Sequence, residues 1–342
     1  GSSGWTGALL LHVWSADSKV GAQLARLWSR APEEWYHDKA AELALRSTDG
    51  WLLPKDDGGF RPIAAPQVVR RIGSAALMKR AKPLVERYCR ERLQFGLSGD
   101  AHTIAYSLLP LLTVSTGGTV LAADRSQSFQ TLRRDAIYAA VKDVVEKALP
   151  SEADAAAALV DACLEYYVHT PDLRKSTVDF DDIPTVTVDG LAQGCTLSPT
   201  LEALVLAWHH SRSPVKPGMC RLTAHDDLII VGGTTTPPSA FTLPSCMEVG
   251  GDYNLAKSVA YGADRDALVQ TGLAAPEATI GTVWGRPVGR VSKWLETTWL
   301  PRFETRCEHI MQIAAIDAAV AIWCANTFKG SGAMVTHVMR AI

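Results

Sequence analysis

The stretch RLTAHDDLIIVGG, residues 221–233, allows few backbone paths. β-forming residues flank two adjacent carboxylates, Asp226 and Asp227. Successive side chains of a flat strand point to opposite faces, so both acids reach one place only if the chain turns there. The pattern predicts a β-hairpin with the Asp pair at its tip. Such a tip is either a solvated turn, since Asp is an ordinary turn residue, or a cation site. This stretch alone leaves both readings open.

The rest of the chain reads as a mixed α/β (α+β) protein. In GGTVLAADRSQSF the apolar run Val120 to Ala123 is unbroken, as in a covered sheet, and Asp124 stands at its C-terminal end. WLLPKDDGGFRPIAAP, residues 51–66, has two short apolar runs around Asp57-Gly58-Gly59, a hairpin signature. Lys55 and Arg61 lie on its two arms. TVDFDDIPTVTVDG reads as another hairpin and ATIGTVWGRPVG as one more strand or hairpin. Helical periodicity marks most of the first 50 residues, the segments 133–149 and 151–169, and the chain from Val291 onward. A glycine-rich break at Gly96 to Gly99 precedes a further helix starting near Asp100. GLAQGCTLSPTLEALVLAWHH is a loop entering a helix, with Ser198 as cap and Pro199 at the first helical position. His209-His210 is expected at that helix's exposed end.

At 342 residues, two or three subdomains are expected. No apolar run reaches the ~18 residues of a membrane span, and no signal peptide is read at the start. Seven cysteines, odd in number and without a CxxC, fit reduced intracellular thiols better than zinc or a disulfide framework. The net charge of −2 argues weakly against bulk electrostatic binding of nucleic acid. The distribution is less even. From Arg70 to Arg92 eight basic residues (including Arg71, Lys79 and Arg80) face two acids, +6 in 23 positions. This is either a solvated helix face or a surface that tracks phosphates.

Three acids therefore stand at strand ends or turns: Asp124, Asp226 and Asp227. Asp124 precedes Asp226 by 102 positions, so only tertiary structure can unite them. Divalent cations bridging a nucleotide triphosphate need such oxygen ligands.

With these motifs in view, the sequence resembles the reverse transcriptase domain of non-LTR (LINE-type) retrotransposons. LLPKDDGGFRPIAAPQVVRRI resembles the family's fingers segment, and QFG at Gln94 to Gly96 follows it. AADRSQSFQTLRRDAI, GLAQGCTLSP, AHDDLIIVG and NLAKS resemble the four palm motifs in order, and VWGRPVG resembles the element before the thumb. The resemblance covers nearly the whole chain. It implies a right-hand polymerase with fingers at 1–119, a palm of antiparallel sheet and helices at 120–290, and a helical, incomplete thumb at 291–342. The implied activity is RNA-directed DNA synthesis on a primer 3′-hydroxyl with deoxynucleoside triphosphates.

The implied roles follow residue by residue. Asp124, Asp226 and Asp227 would hold two Mg²⁺, with Mn²⁺ a possible substitute. Lys55 and Arg61 would clamp the triphosphate, and Lys257 would protonate or screen the pyrophosphate. Phe129 would close the space beside the sugar 2′ carbon. Gln193 and Gly194 would touch the template and the nascent pair. Arg70, Arg71, Lys79, Arg80, Gln94, Gly96 and Lys293 would contact nucleic acid. The implied partners are an RNA template and a DNA or RNA primer, with no membrane. Endonuclease and nucleic-acid-binding modules would lie outside this chain, and the compartment would be intracellular, cytoplasmic or nuclear. The chain departs from the family where Ala224 replaces an aromatic residue, His225 precedes the Asp pair and Thr196 replaces a proline. Those departures keep a diverged or domesticated scaffold that binds RNA or protein among the readings. A maturase-type enzyme and an RNA-making polymerase are the others; Phe129 speaks against the last.

Overall fold

Val120 and Leu121 are neighbours on one strand and both are fully buried, so that strand is covered on both faces. The computed structural model describes residues 48–55, 58–66, 68–97, 118–166, 176–180, 183–187, 189–213, 215–262, 265–269, 280–283, 286–289 and 300–315, with single positions at 12, 19, 22, 23 and 296. Most of the N-terminal helices, the start near Asp100, Lys293 and the chain after residue 315 lie outside the described residues.

In chain order the elements are β1 (Thr48–Pro54), β2 (Phe60–Pro66), α1 (Val68–Glu91), β3 (Thr119–Ala123), α2 (Ser128–Thr131), α3 (Arg134–Glu146), α4 (Ala153–Tyr166), β4 (Ser176–Phe180) and β5 (Ile183–Thr187). Then follow α5 (Ser198–Arg212), β6 (Met219–Ala224), β7 (Asp227–Gly232), β8 (Val259–Tyr261), α6 (Arg265–Val269), β9 (Ile280–Val283), β10 (Arg286–Gly289) and α7 (Leu300–Ala314). The central sheet is antiparallel in the order β6-β7-β3-β8. A second sheet, β2-β1-β4-β5, pairs β1 parallel to β4. It therefore draws strands from both sides of the expected boundary at residue 119.

Period-two alternation divides the central sheet into two faces. Leu121, Ala123, Leu228 and Ile230 belong to the main core with the helices, whereas Val120, Ile229, Val231, Leu222 and Tyr261 form a smaller cluster with Phe95. That division explains why the apolar runs of β3 and β7 are unbroken. Residues of α1, α3, α4 and α5 all enter the main core: Leu84, Ile137, Leu159 and Leu204 are each fully buried. Burial of each such side chain contributes roughly 1.5–3 kcal/mol.

Helix α5 is buried over the whole run from Leu201 to His210. A helix enclosed on all sides can be apolar all round, and Leu, Ala, Val and Trp supply that surface. Ser198, expected as the cap, is the first helical residue; its hydroxyl donates to the Ala192 carbonyl at 2.7 Å. His209 and His210 are not at an exposed end: each is 3% exposed. β6 and the segment around Tyr253 close over the end of the helix. His210 Nε2 lies 3.1 Å from the Tyr253 hydroxyl, and the Arg221 guanidinium donates to the carbonyls of His210 and Ser213. Burial holds the His210 imidazole well below its ordinary pKa, so it stays neutral.

The basic stretch expected to form one surface is divided. Arg80 pairs with Asp154, and Arg87 bonds Glu152 at 2.6 Å and Glu91 at 2.8 Å. The Arg92 guanidinium lies 3.5 Å over the Tyr88 ring. These cations tie α1 to the start of α4 and to its own end. Arg71 and Lys79 remain exposed; Arg70 lies on α1, and its side chain is outside the described residues. Among the described residues no helix is long and apolar enough to cross a membrane.

One close approach holds the loop beneath the sheet. Gly250 has φ +85°, and a methyl group there would run into the Thr131 carbonyl. Its own carbonyl accepts from Arg125. Gly250→Ala is expected to lose about 1–3 kcal/mol, the usual cost of forcing atoms into packed space. Urea denaturation checks this; an unchanged midpoint would contradict it.

Candidate active site

Strands β6 and β7 are joined by only two residues. Ala224 pairs with Asp227, leaving His225 and Asp226 as the turn. The chain reverses through His225 and Asp226, so Asp226 stands in the turn and Asp227 begins β7. On the other side of β7, Ala123 pairs with Leu228. The next step of that register sets Asp124 opposite Asp227, on the face of Val120 and Ile229, away from the helices.

The three carboxylates act on one another. Burial, then repulsion from Asp226 and Asp124, pushes the Asp227 carboxyl up to about 7. Burial and Asp226 also raise Asp124, while Lys257 and Lys55 pull it down. These two lysines come from separate segments. The Asn254 amide donates to the Asp124 carbonyl at 2.8 Å and the Lys257 amide to the Asn254 carbonyl at 3.0 Å, which fixes the turn carrying Lys257 beside Asp124. Lys55 sits at the tip of the β1–β2 hairpin, where its amide donates to Gly59 at 2.8 Å and Gly58 turns with φ +79°. Arg61, opposite Leu53 on β2, is exposed.

Phe129 lies on α2, half-buried, with one side packed on the main core. Gln193 links strand β2 to helix α2. Its carbonyl accepts from Ala64 of β2 at 2.7 Å, and its side chain accepts from Gln130 at 3.1 Å. Gly194, at φ +121°, lets that loop approach: a Cβ there would stand 2.8 Å from the Ala64 carbonyl oxygen.

Three residues expected on a nucleic-acid surface are placed otherwise. Arg80 is turned to Asp154, as described above. Gln94 is 1% exposed and bonds the backbone of His225. Gly96 packs against that same residue. The partner of Gln94 lies 131 positions ahead in the chain and that of Arg80 74 positions ahead, beyond what local reading reaches.

Sequence reasoning also passed over Glu202 and Arg125. Glu202, on α5 beneath the turn, is fully buried, with Oε2 3.7 Å from His225 Nδ1. Burial dominates its raised pKa of about 8; the nearby Ser128 hydroxyl and Arg125 lower it, and Asp226 and Asp227 raise it. A lone acid within LEALVLAW was the visible signal. Arg125, 2% exposed, donates to Ser128 at 3.2 Å and to the Gly250 carbonyl.

The donor set suits a hard cation. Among the described residues no three His, Cys, Asp or Glu side chains stand close enough together to hold a metal ion by themselves. Mg²⁺ does not need such a cage: it is commonly bound through one or two carboxylates, substrate phosphates and water. Asp124 and Asp227, each raised first by burial and then by repulsion from Asp226, form with it a negative cluster that such a cation would relieve. A cavity of about 560 Å³ lined by His209, Arg212, Arg221 and Met247 opens at the other end of the β6–β7 hairpin, and none of the three acids lines it.

No protein-family model matches the chain, and no curated protein matches it by sequence. Solved structures do resemble it. The apo telomerase of Candida tropicalis, truncated of its C-terminal domain, aligns with TM-score 0.50 and 12% identity over 77% of this chain and 58% of its own. The RNA-dependent RNA polymerase of a human picobirnavirus, with its insertion loop deleted, aligns with TM-score 0.42 and 13% identity over 65% of this chain and 46% of its own. The chain thus spans little more than half of the telomerase chain it matches. With the antiparallel central sheet and its helical layer, the telomerase likeness gives the fold: a right-hand polymerase.

Asp227 and Glu202 keep protons in the folded chain that the unfolded chain releases near 3.8 and 4.5. Their shifted groups therefore favour the fold at low pH, and that contribution is lost as pH rises through about 4 to 8. The melting temperature of metal-free wild type should fall more steeply between about pH 5 and 8 than that of Asp227→Asn, and millimolar Mg²⁺ should restore more of it at the higher pH. Equal slopes in wild type and variant would contradict the coupling.

Proposed function

We propose that this chain is an RNA-directed DNA polymerase that extends a primer 3′-hydroxyl with deoxynucleoside triphosphates on an RNA template. One observation carries the reading: Asp124 and the Asp226–Asp227 turn converge at one end of the central sheet, on the face away from the helices, where two lysines act on Asp124. The order of seven sequence motifs supports the finer assignment to a non-LTR retrotransposon. On this reading the β1–β2 hairpin belongs to the fingers, the central sheet with α2 to α5 to the palm, and α7 to the thumb.

Bound divalent metal would lower the pKa of the primer hydroxyl and neutralise charge on the triphosphate and leaving pyrophosphate. The chain's own groups do the rest. Asp124 and Asp226 would supply the principal oxygen ligands, with Asp227 beside them. Lys55 at the hairpin tip attracts the triphosphate, and Arg61 extends that positive edge. Lys257 meets the departing pyrophosphate, where it screens charge or gives up a proton. Phe129, held from behind by the core, occupies the space a ribose 2′-hydroxyl needs. Gln193 and Gly194 join the fingers strand β2 to the loop before α5, so the base pair would be read at that junction. Exposed Arg71 and Lys79 offer phosphate contacts.

Primer extension with purified protein tests this directly. Wild type should extend with deoxynucleotides in Mg²⁺, and Asp226→Asn should lose about 10³-fold or more in kcat, the scale of a removed electrostatic group. No extension under any template and metal condition would favour the scaffold reading. Phe129→Ala should admit ribonucleotides; an unchanged sugar preference would remove Phe129 from the pocket.

Salt dependence sorts the basic residues of α1. Arg71→Ala should flatten the slope of template affinity against salt by about one unit, as each lost phosphate contact does. Arg80→Ala should leave that slope unchanged. Equal effects would contradict the division of charge along the helix.

A further inference from the structure

We propose that Gln94 is a positioning residue whose side-chain amide locks His225 in a left-handed conformation and thereby aims Asp226. The proposal rests on the polymerase reading of Asp226, and it concerns how the turn is held. Its basis is one buried contact. Gln94 Oε1 accepts from the His225 amide at 2.9 Å and from the Gly96 amide at 3.0 Å, while Nε2 donates to the His225 carbonyl at 3.1 Å. A single side chain thus grips the peptide groups on both sides of one residue. Two amide donors meeting at Oε1 also settle which way the Gln94 amide points.

His225 needs such a grip. Its φ is +52°, and it is the first central residue of a two-residue hairpin turn, a place where positive φ calls for glycine. Histidine tolerates that region better than most residues but does not prefer it. Strained turn residues persist only where their surroundings over-determine them. If either peptide unit of His225 rotated out, one or two bonds to Gln94 would break and the Asp226 carboxylate would swing away.

The segment carrying Gln94 is itself fixed. The Thr223 amide donates to Leu93 at 2.9 Å and the Phe95 amide to Thr223 at 2.8 Å, so residues 93–95 run parallel beside β6. The Gln94 amide also returns to Cys89 at the end of α1, at 2.9 Å. Gly96 completes the arrangement, because a Cβ there would stand 2.6 Å from the His225 nitrogen and 2.7 Å from its ring. Glutamine is the fitting residue, since the contact needs an acceptor and a donor on one terminal group. Glutamate lacks the donor and methionine lacks both.

The test is a double-variant cycle read by steady-state primer extension. Gln94→Met should lower kcat by about 10- to 100-fold, the scale of a misplacement near 1 Å. Template–primer affinity should stay within about two-fold, because a buried side chain does not touch the duplex. Adding His225→Gly, which removes the strain, should recover most of the lost rate. Unchanged kcat in Gln94→Met, a loss confined to template–primer affinity, or losses that multiply in the double variant would each overturn the proposal. Amide hydrogen exchange on the wild type needs no activity and no variant. The His225 and Gly96 amides should be protected although they lie in a turn and a loop; free-turn exchange rates there overturn the clamp. A wild type that does not extend primers defeats the polymerase reading, and the exchange experiment still decides the clamp.

Discussion

Ala123 of β3 pairs with Leu228 of β7, and from that register the arrangement of the site follows. It sets Asp124 opposite Asp227 and puts both on the face away from the helices. The Ala224–Asp227 pair then leaves His225 and Asp226 as the reversal between β6 and β7. A slip by one residue would move every side chain of β7 to the other face. Leu228 and Ile230 would leave the helical core, and Asp227 would turn toward it. The buried apolar residues thus hold the acids in place: the register that fills the core is the register that assembles the carboxylates.

That assembly works against its own stability. Three carboxylates gather above a fourth buried acid, Glu202, with Arg125 buried nearby. His225 adds backbone strain at the same point. Concentrated charge and strain of this kind are tolerated where surrounding structure offsets them, and they cluster at functional sites. Here the offset comes from the buried faces of α1, α3 and α4, from the enclosed helix α5, from the Gln94 amide, and from the lysines that act on Asp124. On the proposed reading this negative cluster is formed before any cation or substrate arrives, which suits catalysis by preorganised charge.

Local patterns made much of this legible in the sequence. The Asp pair between two β runs marked the β6–β7 hairpin, the unbroken Val120–Ala123 run marked a strand covered on at least one face, and Asp57-Gly58-Gly59 marked the β1–β2 turn. What local pattern does not carry is the identity of a distant partner. The resemblance implied nucleic-acid contacts for Gln94 and Gly96, but they meet His225 at the end of β6. Arg80 counted toward a basic surface until Asp154 appeared opposite it. His209 and His210 ended a helical pattern, and nothing nearby announced that β6 and the Tyr253 segment close over them. Glu202 broke an apolar run visibly; its meaning depended on what lies above it.

The central claim is that Asp124 and the β6–β7 turn form one cation site facing a triphosphate. Anomalous diffraction from crystals soaked with Mn²⁺ and a non-hydrolysable deoxynucleoside triphosphate addresses it without relying on turnover. The account predicts manganese density bounded by the Asp124 and Asp226 carboxylates, with the triphosphate extending from it toward Lys55. Manganese and nucleotide bound elsewhere, with no density between Asp124 and Asp226 at saturating concentration, would contradict it.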